Sequence, residues 1–243
     1  MLDTATMKWA ILFSILPYAV LLVVVGQDAE AQNPTELRAP SGFSSIADTP
    51  ARSRALFTEA AKVLMSPRCM NCHPAGDRPT QGNDMHPHSP PAPRGADGGG
   101  VPGNTCGACH LDRNNNMFIG WRASFESIPG HPRWGLAPIE MAWEGKTIGE
   151  VCRQIKDPQR NGGRSLELLH EHLAHDDLVA CGWNPGAGRD PAPGSQAQLG
   201  ALIRAWIDSG AECPQSAILS QVAPSDDQPA AAHFKERRTP PLP

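Results

Sequence analysis

The sequence predicts a mainly α-helical chain whose small helical core carries long loops. Three observations predict this. Apolar residues recur at helical spacing in four separate stretches, one near 51–65 and the others following Thr147, Ser165 and Ser195. Proline and glycine number 25 and 23 in 243 residues, so much of the chain must be loop. A pentapeptide of the form C-x-x-C-H occurs twice, as Cys69-Met70-Asn71-Cys72-His73 and as Cys106-Gly107-Ala108-Cys109-His110.

That pentapeptide is the attachment signature of c-type haem. Cysteines three apart sit on one side of a helical turn, so two thiols can reach the two vinyl groups of one porphyrin. The histidine that follows is swung under the ring, where a neutral imidazole can bind iron. Two matches predict two covalent haems, with Cys69, Cys72, Cys106 and Cys109 as tethers and His73 and His110 as proximal ligands. Each porphyrin is itself a large buried apolar body. It would let the chain fold with few aromatics, of which six of thirteen are Trp. Two rival readings exist. Two C-x-x-C pairs can make a tetrathiolate zinc site, but both pairs are followed at once by His and the gap between them is long for a compact zinc ribbon. Two local disulfides would need a redox-fold setting that nothing here suggests.

Taken in order, the chain opens with Lys8, an apolar run from Trp9 to Val25, and Ala29-Glu30-Ala31. This predicts a secretory signal peptide over 1–31, cleaved after Ala31. An uncleaved anchor is the alternative, since a spanning helix needs about 20 apolar residues. Export places the protein in the bacterial periplasm, where c-haem is attached. It leaves a mature chain that does not span a membrane. Residues 32–50 read as an irregular leader. Thr49-Pro50 reads as a helix start, with Thr49 as N-cap. Leu56, Ala60, Val63 and Leu64 then form a stripe that ends at Ser66-Pro67, just before the first motif. The net charge of −4 predicts no nucleic-acid binding.

Residues 74–105 are rich in Pro, Gly and Asp and lack clear periodicity. They hold Met85-His86-Pro87-His88, and a loop of this kind can bring a sixth ligand over a haem. His86 and His88 lead the candidates, with Met85 behind them. His131, in Gly130-His131-Pro132, is a second loop candidate. Met141 lies in a short expected helix and would raise the haem potential relative to a second histidine. His172 is a further candidate on a later helix, beside His170 and His175. For each of these the plain alternative is a solvated or packing residue. Trp121, Trp134 and Trp143 can pack on porphyrin edges or serve as ordinary core.

Thr147 with Glu150 forms a capping box, and the helix it starts carries Val151, Cys152 and Ile155. Ser165 caps a helix with Leu166, Leu169 and Leu173 on one face. Ser195 with Gln198 opens a third, with Leu199, Leu202, Ile203, Trp206 and Ile207 in a stripe that Gly210 closes. This last helix should pack across the one at 51–65. Arg153, Lys156, Arg164 and Arg189 can each pair with a haem propionate. Residues 214–243 read as a disordered tail, which leaves 51–213 as the domain. Of seven cysteines, three are not haem anchors: Cys152, Cys181 and Cys213. Cys152 with Cys213 is the pair expected, though Cys181 with either stays open.

A resemblance can now be stated. The two motifs together with Trp206-Ile207-Asp208-Ser209-Gly210-Ala211 resemble the start and finish of a class I cytochrome c domain, which implies a cytochrome c-like helical core. Leu136-Ala137-Pro138-Ile139-Glu140-Met141-Ala142-Trp143 and Gln154-Ile155-Lys156-Asp157-Pro158 resemble a bacterial group labelled "isoquinoline 1-oxidoreductase subunit". The resemblance covers roughly residues 50–213. It implies an electron-accepting partner of a molybdenum hydroxylase. This chain has neither a molybdopterin nor an iron–sulfur signature of its own. Similar proteins carry Trp-Gly-Trp where this one has Cys181-Gly182-Trp183, a departure that weighs against a structural role for Cys181.

The expectation is therefore a periplasmic dihaem electron carrier that serves a redox partner protein. A dihaem enzyme of peroxidase type is the main rival, because it would keep one iron open to substrate. A haem-based gas sensor is the third reading.

Overall fold

The computed structural model describes residues 36–115 and 127–215. The signal segment 1–31, Trp121 and residues 216–243 of the expected tail lie outside them. Six α-helices and two short hairpins are present among the described residues, so the chain is mainly helical. None of these helices is long and apolar enough to cross a membrane.

Helix α1 spans Thr49–Leu64. Its N-cap is Asp48 rather than the expected Thr49: the Asp48 carboxylate accepts from Ala51 N at 2.8 Å. A carboxylate both satisfies an orphan N–H and opposes the positive helix end, so it wins over the neighbouring hydroxyl. The stretch expected as a leader contributes to the core, with Leu37 and Phe43 buried. A one-turn helix, α2 (Pro67–Met70), starts after Ser66 and carries Cys69.

The unpatterned loop holds two hairpins. Strand β1 (Thr80–Gln81) pairs antiparallel with β2 (His86–Pro87), and β3 (Gly100–Val101) with β4 (Asn104–Thr105). Two-residue strands are too short to leave an alternation in sequence, which is why they were not foreseen. The second motif sits on a single 3-10 turn, Cys106–Ala108, and another such turn, Ile139–Met141, replaces the short helix expected there. Helices α3 (Ile148–Lys156), α4 (Leu166–His175), α5 (Asp177–Ala180) and α6 (Gln196–Asp208) follow.

The caps expected for the later helices form. Thr147 and Glu150 make a reciprocal box at α3, Ser165 accepts from Leu168 N, and Ser195 accepts from Gln198 N. Each such cap is worth about 1 kcal/mol. The stripes meet as expected, with α6 packed across α1. The Phe57 and Trp206 rings lie 4.9 Å apart, both fully buried. Ser53 ties the two helices by donating to the Trp206 carbonyl. On its other side α6 meets α4 at Gly200, where a Cβ would stand 2.6 Å from that of Ala174. Cys152 of α3 is bonded to Cys213, the expected pair, which closes the C-terminal end of the domain over α3.

Candidate cofactor site

Each C-x-x-C-H motif is held by a separate stretch of backbone. Residues 137–144 run along the first. Ala137 N donates to the Cys72 carbonyl at 3.1 Å and Trp143 N to the His73 carbonyl at 2.9 Å. Arg94 clamps this stretch from beneath. Its buried guanidinium donates to the carbonyls of Ala137, Pro74 and Gly76. The second motif is held by residues 127–130 and by the β3–β4 hairpin, with Cys106 N donating to the Gly99 carbonyl at 2.9 Å.

The two histidines sit in matching surroundings. His73 Nδ1 donates to the Met141 carbonyl at 2.7 Å, and His110 Nδ1 donates to the Pro129 carbonyl at 2.6 Å. The His73 ring stacks on Trp143, with centroids 3.6 Å apart and planes 9° from parallel. His110 stacks on Trp134 in the same way, at 4.5 Å and 7°. Desolvation lowers the pKa of both rings to about 4, against the partial opposition of those carbonyls. Both are neutral near pH 7, with Nε2 bearing the lone pair. Tying Nδ1–H to a carbonyl is how proteins orient a metal-binding imidazole. Burial keeps Cys69 and Cys72 protonated as well, pushing the first up to about 12 and the second to about 11.

Cys69, Cys72, His73, Cys106, Cys109 and His110 all line one cavity of about 780 Å³. That volume lies in the upper part of the range for large-ligand pockets. Trp143 and Trp134 also face it. Trp143 Nε1–H is buried without an acceptor among the described residues, so an acceptor on a bound group would satisfy it. Four thiols, two oriented lone pairs and an unpaired indole N–H on a single cavity fit two covalently held haems. Among the described residues no three of His, Cys, Asp and Glu gather into an ion-binding cluster.

The candidate sixth ligands separate clearly. His88 and His172 reach the cavity wall, each half-buried. His88 Nδ1 donates to the Pro90 carbonyl at 2.7 Å and His172 Nδ1 to Asp176 at 3.0 Å. His172 lies close enough to His73 for its charge to weigh on that ring. His86 points away. Its Nδ1 is bound to Asp84 and its Nε2 to Gln81, and it is exposed. Residues two apart in a strand share a face, so alternation alone would not separate the two histidines; β2 ends at Pro87, and His88, just past its end, lines the cavity while His86 does not. Met85 is exposed at the hairpin turn. His131 is buried but occupied at both nitrogens: Nδ1 accepts from Arg133 N and Nε2 contacts Asp177. It fastens a turn to α5 and does not line the cavity. Met141 lines the cavity, but the atom it gives His73 is its backbone carbonyl on Nδ1. Through that carbonyl it orients the His73 ring. His170 and His175 stack edge-on at 5.9 Å, away from the cavity.

Of the cations expected near propionates, Arg164 and Arg189 line the cavity, while Arg153 and Lys156 do not. Lys156 donates instead to the Ala211 carbonyl. Arg68 and Arg133 are wall residues that sequence reasoning missed. Cys181 is a free thiol on the same wall, its pKa raised mainly by burial. Comparison with protein-family models, with curated proteins and with solved structures finds no match to this chain.

Proposed function

We propose that this protein is an exported dihaem c-type cytochrome that carries electrons, with a cytochrome c-like core. The observation that supports it best is the convergence of both C-x-x-C-H motifs on one cavity, each histidine neutral, tied at Nδ1 and open at Nε2. Each haem, when bound, supplies an iron centre that takes up and releases one electron. The chain's own part is to hold and tune it. Each cysteine thiol would add across one vinyl group, sulfur to one carbon and hydrogen to the next, so that a pair holds the group at two points. His73 and His110 would each supply a nitrogen ligand to an iron. The tryptophans and the apolar wall keep water from the proximal side, and burial and axial ligands set the potential.

The shared cavity favours transfer within the protein over short distances, from one centre to the other and out to a redox partner protein. The resemblance stated above suggests a molybdenum hydroxylase or another dehydrogenase as that partner, with this chain as its electron-accepting subunit in the periplasm. The test is haem content. Expressed in a host able to mature c-haem, the full chain should stain for covalent haem and carry two irons. Replacing Cys69 and Cys72 together by Ser should leave one, as should replacing Cys106 and Cys109. A colourless product, or a thiolate-bound zinc ion, would overturn the reading.

A further inference from the structure

Resting on the dihaem reading, we propose that His88 is the sixth ligand of the iron carried by His110, so that this haem is bis-histidine and closed to external ligands. The rings of His88 and His110 stand 6.0 Å apart between centroids, with planes at 45°. Two imidazoles on one metal, each nitrogen about 2 Å away, place their ring centres roughly 6 Å apart. The spacing is wide for a stacked pair and right for a metal between them.

The tautomers agree with this. A carbonyl can only accept, so Pro129 and Pro90 each take the Nδ1 proton of their histidine. A ring tied in this way has Nε2 as the nitrogen available to a metal, and both rings line the cavity. An oxygen acceptor on the far nitrogen is the usual outer support of a metal-bound histidine. His88 Nδ1 therefore has the same kind of partner as the proximal ligand it faces.

The backbone around His88 is held as well. His88 N donates to the Pro79 carbonyl at 3.1 Å, continuing the β1–β2 ladder. Ser89 N donates to the Gln81 side chain at 3.1 Å. Asn104, two residues before Cys106, donates to the Pro91 carbonyl at 3.0 Å and so ties the His88 loop to the strand that leads into the second motif. The first hairpin carries the distal ligand, and the second hairpin carries the tether of the same haem. A solvated loop histidine needs none of these restraints.

The test uses the full holoprotein. Its near-infrared magnetic circular dichroism should contain a bis-imidazole iron, and its absence in the wild type would overturn the proposal while haem staining still upholds the dihaem reading. His88→Ala should keep two haems per chain but turn one high-spin and able to bind carbon monoxide, with added imidazole restoring the low-spin signal. His86→Ala should match the wild type. A His88→Ala protein in which both irons keep their wild-type spectra defeats the assignment. So does one whose new carbon monoxide site disappears when His73, rather than His110, loses its haem.

Discussion

The imidazole of His73 lies flat on the indole of Trp143, 3.6 Å between ring centres, while its Nδ1 is tied to the carbonyl of Met141 two residues earlier. One short stretch of chain thus fixes both the plane and the tautomer of a ring delivered by a distant motif. Trp134 and Pro129 do the same for His110. With the plane held by stacking and the tautomer by a carbonyl, little freedom is left for an axial ligand to lose on binding.

Removing one stack should loosen one ring without removing its tether. In Trp134→Ala the haem count per chain is expected to stay at two, while the electron paramagnetic resonance signal of one low-spin iron shifts and broadens. Trp134→Phe should lie closer to the wild type, because an aromatic face remains. Unchanged spectra in both variants would show that the stack does not orient the ligand.

Arg94 should be the costliest single charge near the first motif. Its buried guanidinium serves three carbonyls on two loops, and charge-assisted bonds of this kind are worth about 1.5–3 kcal/mol when lost. Arg94→Met should lower stability by that order in a urea titration. It should also lower the yield of haem at Cys69 and Cys72 more than at Cys106 and Cys109. Equal loss at both would argue against a local clamp.

The Cys152–Cys213 bond closes a loop of sequence separation 61. A cross-link of that span is worth about 2–4 kcal/mol through the unfolded chain. The double Ser variant should lose stability of that order while its haem spectra stay as they were, since neither cysteine lines the cavity. Altered spectra would mean that α3 moves when the bond is absent.

Asp176 gives stability a dependence on acid. Burial works against its charge, but Arg133, the Leu178 N–H and His172 all bond to its carboxylate and hold its pKa well below the usual 3.8. A carboxyl with a depressed folded pKa binds its proton more readily when unfolded. Its contribution is therefore full above about pH 4 and lost as pH falls from there through the folded value. Urea midpoints should drop between pH 5 and pH 2.5 more steeply in the wild type than in Asp176→Asn. Parallel slopes would remove Asp176 from the account.

Local chemistry determined what the sequence alone could settle. A C-x-x-C-H pentapeptide, a Thr147–Glu150 box, a Ser at an N-cap and an apolar stripe from Leu199 to Ile207 all act within a turn or two of themselves, so they can be read before any fold is known. The tertiary structure decided what needed two distant segments at one place. His86 and His88 are equivalent as sequence, and only the hairpin that sends one outward and the other into the cavity tells them apart. Trp134, Trp143, Arg68 and the carbonyls of Pro129 and Met141 carry no local sign of their role, because orientation and stacking are properties of pairs brought together by folding. A backbone carbonyl has no residue identity at all, which is why the bond between His73 and the Met141 carbonyl could not be read from the sequence.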